Sequence, residues 1–308
     1  MIEISLIRDR FRASLSVLRL SYLHHNYRRN SVYDDSHLTT NTHQRDNLTT
    51  ESTSLNSEED LSNLHQNDHP TELLVDPFKH RLTLTRLQWL RTYILSVLLI
   101  PIRLVLVLIT YLIIYIVASV VLWNLSEEMK TEKPIAPYWR KVAQQMAAFL
   151  ARTSYRCCGF SVNVKGKMAS AKEAPILVSA PHSGFFDTFV RSWCTDPYGG
   201  TPYVVTREEN RKLPVISKFF DLFQPIYVKR EDPNSRKGTI EEIVRRINLS
   251  SHPDPAERWP QLFIFPEGST SNRKALMSFK LGAFYPGKPV QPVLVRYPND
   301  IDTVTWTW

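Results

Sequence analysis

The chain has 308 residues, 43% of them hydrophobic and 22% charged, with a formal net charge of +8. That is enough apolar material for one substantial core with an appendage, and it excludes a wholly disordered protein, while nine glycines without a period exclude a collagen. Three cysteines, Cys157, Cys158 and Cys194, two of them adjacent, make no disulfide framework, so the fold must stand on packing.

The charge is unevenly spread. Residues 1–30 hold six arginines against Glu3 and Asp9, residues 31–70 hold eight acidic residues against Arg45, and from residue 71 onward 31 basic residues outnumber 20 acidic ones. The basic region suits nucleic acid, anionic lipid head groups and phosphate-bearing substrates alike, and charge alone does not choose among them.

In chain order, residues 1–75 read as a basic segment followed by a polar tail. Leu6, Phe11, Leu15, Leu18 and Leu20 lie among arginines as in a basic amphipathic helix, and no apolar core of a cleaved signal peptide follows. Residues 31–70 are rich in Ser, Thr, Asn, Asp and His and carry no helical or strand period, which predicts a disordered tail. Six of the nine histidines (His24, His25, His37, His43, His65, His69) fall in this N-terminal region at irregular spacing without cysteine, a pattern of solvated polar residues and not of a metal site.

Residues 89–125 read as a membrane segment. Leu104 to Trp123 is twenty residues without a charge, long enough to cross a hydrocarbon layer of about 30 Å. A second apolar stretch, Tyr93 to Ile102, precedes it, and Pro101 between them allows either one bent span or a hairpin. Arg81, Arg86 and Arg91 come before, and Glu127 and Glu128 after; a single span therefore puts the N-terminal side in the cytosol, whereas a hairpin leaves the side of the following domain open.

Residues 135–308 alternate between helical and strand patterns. A helix is predicted from Tyr138 to Cys158, with Val142, Met146, Phe149 and Leu150 on its apolar face and Gly159 as C-terminal cap. Strand-like runs follow at Pro175–Ala180, Pro202–Thr206, Pro225–Lys229, Leu262–Phe265 and Val290–Arg296, with helices around Thr188–Cys194, Val215–Phe223 and Thr239–Asn248 between them. The pattern predicts an α/β fold, a sheet flanked by helices with its chemistry at the strand ends. The last run, TVTWTW, also reads as a strand; the chain stops inside it, as a fragment or shortened form with an incomplete domain would.

The residues after each run therefore matter most. PILVSA is followed by His182 and, five positions on, Asp187: a base for an alcohol proton and a carboxylate to orient it, if the loop turns between them. Taken alone, His182 reads more readily as a strand-end histidine bonded to backbone. LFIF is followed by Glu267-Gly268-Ser269-Thr270, acceptors and backbone N–H groups at a turn, and neither a nucleophile elbow nor a P-loop. Arg230 ends the run PIYVKR and offers a planar fork for phosphate oxygens. His182 has no histidine or cysteine neighbours at ligand spacing, so no metal is expected.

At these residues the sequence resembles the glycerophospholipid acyltransferases of the PlsC type. His182 and Asp187 match the H-x-x-x-x-D motif, Arg230 the arginine of the second motif, Glu267-Gly268-Ser269-Thr270 the third, and Pro292 the proline of the fourth. The text from PIYVKRED to DTVTWTW is similar in particular to the lysophosphatidylcholine acyltransferase branch, and the resemblance runs from about Ile94 to Trp308. It implies a membrane-anchored domain with a mixed sheet, acting on a lysophospholipid and acyl-CoA in contact with membrane lipids, with no cofactor beyond the acyl-CoA co-substrate and no nucleic acid.

The implied compartment is a membrane of the endoplasmic reticulum, the Golgi or a lipid droplet. The resemblance further implies that His182 deprotonates the acceptor hydroxyl, Asp187 orients the histidine, Arg230 holds the lysolipid phosphate, and Glu267 with Gly268, Ser269 and Thr270 positions the glycerol. Members of this branch often continue into EF-hand segments, and this chain has no D-x-D-x-D-G loop for calcium. Two rivals stand beside this reading: thioester hydrolysis through the same His182 and Asp187, and an anchored lipid-binding protein without turnover.

Overall fold

The computed structural model describes residues 2–6, 76–135, 138–196, 200–213, 216–229, 231–299 and 301–306. Seven strands, β1 (Ile2–Leu6), β2 (Val162–Gly166), β3 (Ile176–Ala180), β4 (Tyr203–Arg207), β5 (Ile226–Val228), β6 (Leu262–Ile264) and β7 (Val290–Arg296), form one sheet in the order β2-β1-β7-β3-β6-β4-β5. From β7 to β5 all neighbours are parallel, and the single antiparallel junction is β1 against β7, so the sheet is mixed. Both faces of β3 are covered: Ile176 and Val178 pack with Trp259, Ile243 and Ile247, while Leu177 joins Val204, Phe263, Val293 and Val295. Apolar runs without alternation are what a strand buried on both sides requires.

β1 was not expected as a strand. Residues 2–6 pair with β2 in parallel and with β7 in antiparallel register, and Ile2 and Ile4 are fully buried in the core. The reading of a basic helix gave weight to the arginines from Arg8 onward, whereas Ile2-Glu3-Ile4-Ser5-Leu6 alternates with period two and fits the sheet. The rest of that expected helix, and the tail of residues 31–70, lie outside the described residues. β2 was also missed, since Val162–Gly166 is mostly exposed and lacks an apolar run.

Helix α1 (Arg86–Val121) is 36 residues long and continues through Pro101, so the chain does not reverse into a hairpin there. It opens on a capping box, with Thr85 Oγ1 accepting from the Gln88 amide and Gln88 Oε1 from the Thr85 amide. At 1.5 Å per residue it is about 54 Å long, more than the roughly 30 Å of a hydrocarbon layer. Thr110, Ile114, Ala118 and Val121 form its one buried stripe, against Ala147, Ala148 and Ala151 of α3 (Tyr138–Cys157) and Phe219 and Leu222 of α4 (Ile216–Leu222).

In α3 the structure corrects the predicted facing. Val142, Met146 and Phe149 are exposed, and the alanines are buried, because small side chains let α1 approach closely. Between α1 and α3 lies the short α2 (Glu127–Glu132), and α5 (Pro233–Leu249) covers the far part of the sheet. The segment from Thr188, expected as an α-helix, is a 3-10 helix spanning Phe185–Trp193. Of the expected strand TVTWTW, residues 303–306 take no part in the sheet and the last two lie outside the described residues.

Candidate active site

The parallel neighbours β7, β3 and β6 deliver three loops to one end of the sheet, the end at which open α/β sheets bind ligands. β3 leads into His182, β6 into Phe265 and Glu267, and β7 into Tyr297.

His182 Nδ1 lies 2.9 Å from Asp187 Oδ2. The carboxylate reaches back because it also accepts from the amides of Ser183 at 2.6 Å and Gly184 at 2.9 Å, so the turn before the 3-10 helix folds around it. Asp187 is fully buried, while the His182 side chain keeps 16% of its surface exposed. An imidazole whose Nδ1 is held by a carboxylate presents Nε2 to a substrate proton. The ring stacks on Phe265, with centroids 3.9 Å apart and planes 16° off parallel, which limits its rotation.

Glu267 is 3% exposed, and its two oxygens accept from backbone amides, Oε1 from His182 at 2.7 Å and Oε2 from Met277 at 3.0 Å. Gly268 beside it has φ +68, a backbone conformation that favours glycine; a Cβ there would meet only the flexible end of the Lys280 side chain. The Thr270 hydroxyl is buried without a hydrogen-bond partner among the described residues. Arg230 lies outside the described residues. A cleft of about 540 Å³ is lined by Arg207, Lys212, Lys229 and four carboxylates and does not include His182. Pro292 sits in β7 opposite Val178, one residue before the β1 ladder begins at Val293, where a missing N–H is tolerated. Among the described residues no cluster of three or more His, Cys, Asp or Glu could hold a metal ion.

The sequence reading missed Tyr297, whose hydroxyl donates a short hydrogen bond to Asp187 Oδ1. Burial, and then the neighbouring Asp187 carboxylate, push this phenol well above its ordinary range, so it remains a donor. Its signal was available: it directly follows a strand run. Arg273 lies over the Tyr297 ring and is bridged to Asp302. The segment after Asp302 runs across the turn that follows His182, where the Trp306 amide donates to the Ser183 carbonyl at 2.7 Å. A Cβ on Gly184 would lie 2.8 Å from the Val304 carbonyl, so this crossing needs a glycine.

Comparison with known proteins agrees with the motifs. Residues 161–296 match the family model "Acyltransferase". The chain is 41% identical over 235 residues to lysophosphatidylcholine acyltransferase 2 of Danio rerio, covering 76% of this chain and 42% of that protein. It is 43% identical over 233 residues to lysophosphatidylcholine acyltransferase 2 of Mus musculus, covering 76% and 40%. It is 42% identical over 236 residues to lysophosphatidylcholine acyltransferase of Drosophila melanogaster, covering 76% and 42%. The chain thus spans about two fifths of the length of these curated relatives.

Proposed function

We propose that this chain, whose residues 161–296 match the acyltransferase family model, transfers a fatty acyl group from acyl-CoA to a glycerol hydroxyl of a lysophospholipid, lysophosphatidylcholine or a close relative. The observation that carries this reading is the contact between His182 Nδ1 and the buried Asp187, which leaves Nε2 as proton acceptor. In the reaction, Nε2 takes the acceptor's hydroxyl proton while that oxygen attacks the thioester carbonyl. The C–S bond then breaks, and the imidazolium returns its proton to the CoA sulfur. Asp187 stabilises the imidazolium between these steps. No acyl-enzyme is needed, and Ser183 serves the turn: its amide and hydroxyl both face Asp187.

Arg230 is assigned to the lysolipid phosphate, as a guanidinium fork suits its oxygens. Gly268, Ser269 and Thr270 are assigned to the glycerol, and the unpartnered Thr270 hydroxyl supports this. A lipid acceptor also suits the apolar surface. Leu108, Leu112 and Ile116 of α1 are each more than half exposed, and Tyr138, Val142, Met146 and Phe149 line the outer face of α3. Apolar side chains exposed along α1, where only one stripe is buried, fit a bilayer and not water. The protein is associated with a membrane, for which we propose the endoplasmic reticulum, the Golgi or a lipid droplet.

The test uses membranes carrying the full 308-residue chain, labelled acyl-CoA and a panel of lysolipids. The proposal expects labelled diacyl phospholipid and CoA release that depends on lysolipid. CoA release at the same rate without lysolipid would mean a thioesterase, and lysolipid binding without turnover would mean a lipid-binding protein.

A further inference from the structure

The third-motif carboxylate was expected to hold the acceptor's glycerol, and its surroundings suit a different task. Glu267 is buried, and both oxygens are spent on backbone amides, those of His182 and Met277. The His182 peptide is gripped from its other side as well, since its carbonyl accepts from the Ser271 amide at 2.7 Å. Both backbone polar groups of His182 are thus bonded to the loop that follows β6.

This grip matters because of what Asp187 cannot do. Asp187 belongs to the same loop as His182, five residues on, and bonds the intervening amides of Ser183 and Gly184. It fixes the ring relative to its own turn and, through Tyr297, ties that turn to the β7 loop; the hold on the β6 side falls to the bonds made to the His182 backbone. The bond from Glu267 is the side-chain tie from the β6 loop to the His182 amide. Its second bond, to Met277, closes the loop on itself across ten residues.

We infer that Glu267 is a positioning residue, which sets the place of the His182 base relative to the β6 loop and does not bind the lysolipid. The inference rests on the acyl-transfer reading above. Positioning errors of this kind act on turnover, because a base displaced by a fraction of an ångström still allows substrate to bind. A carboxylate bonded to an amide is a charge-assisted contact, and an amide side chain in its place keeps one acceptor but turns an NH2 toward the other donor.

The experiment compares the full-length wild-type chain with Glu267→Gln and Glu267→Ala in membranes. It measures kcat per folded molecule and KM for lysophosphatidylcholine, with the folded fraction taken from the thermal melt of the detergent-extracted protein. The expected result for Glu267→Gln is a kcat lower by about ten- to a hundredfold, with KM within about twofold of wild type. Glu267→Ala should lose more kcat, again without a rise in KM. Should the Ala variant fail to fold, the Gln variant, equal in size, carries the test.

A KM raised about tenfold with kcat retained would return Glu267 to the substrate and overturn the inference. So would an unchanged kcat per folded molecule with only a lowered melting temperature, the mark of a structural bond alone. If the wild-type chain itself shows no lysolipid-dependent CoA release, the acyl-transfer reading fails and the inference falls with it, an outcome distinct from the other two.

Discussion

Asp187→Asn isolates the carboxylate's charge from its shape, because the local geometry dictates how the amide must sit. The partners of Oδ2 are all donors: the Ser183 amide at 2.6 Å, the Gly184 amide at 2.9 Å, His182 Nδ1 at 2.9 Å and the Ser183 hydroxyl at 3.3 Å. An asparagine must therefore turn its oxygen toward them and its NH2 toward Tyr297, whose phenol rotates to accept. The Nδ1–H tautomer of His182 survives, and what disappears is the negative charge that faces the imidazolium. Where an amide is free to force the wrong tautomer, the loss is about 10⁴-fold; here only the electrostatic part should be lost.

Two unit charges about 4 Å apart at an effective dielectric near 20 attract by about 4 kcal/mol, on the order of 10³ in rate. The 16% exposure of the His182 side chain lets water screen part of this, so kcat should fall by about 10²- to 10³-fold with KM unchanged. The assay is CoA release at saturating acyl-CoA and lysophosphatidylcholine in membranes carrying each variant at matched folded amount. A loss confined to KM, or a rate within about threefold of wild type, would refute the reasoning about charge. A loss of 10⁴ or more would mean that the amide does not sit as the turn demands.

His182→Ala should lower turnover by about 10²- to 10⁴-fold with both substrates still binding. His252→Ala is the control, since its half-buried ring bonds only within its own loop, to the Asp254 amide, whereas His80 is a poorer one because its Nε2 contacts the Asp302 carbonyl at 3.2 Å. Arg230→Ala should reduce acceptor specificity by about ten- to a hundredfold, with partial recovery in Arg230→Lys; an effect only on acyl-CoA affinity would reassign it to the donor. Partial burial raises the Asp302 carboxyl, but the Thr305 hydroxyl and Arg273 outweigh that and hold it at about 2. With the folded-state value depressed, the stabilisation is complete above pH ~4 and fades as pH falls toward about 2; the melting-temperature gap between wild type and Asp302→Asn should close over that window. Alkaline carbonate should leave the chain in the membrane pellet, and its release into the supernatant would count against α1 as an anchor.

The sequence by itself determined much of the frame. Short apolar runs marked β3 to β7, the least interrupted being those of β3 and β6 at the centre of the sheet, and a charge-free run marked α1 because helices in soluble cores seldom need every face apolar. The pairing of His182 with Asp187 was also legible, since five residues through a tight turn bring a carboxylate back to an imidazole. Tertiary structure decided what depends on partners far along the chain. β1 is a strand only because β7 and β2 lie beside it, 150 residues or more away, and five alternating residues next to arginines carry too little local signal.

The facing of α3 reversed because alanines, unremarkable in composition, are what α1 can approach closely. Pro101 allowed a bend or a reversal, and the helix continues through it, with the later part of α1 held against α3 and α4. Glu267 kept its motif but took up the backbone of His182, because β3 and β6, 85 residues apart at this point, are hydrogen-bonded neighbours and end together. Tyr297 reaches Asp187 for the same reason, from the opposite neighbour of β3. Local pattern specifies elements; which strand ends meet is set by the sheet order, which arises only when the long-range pairs have formed.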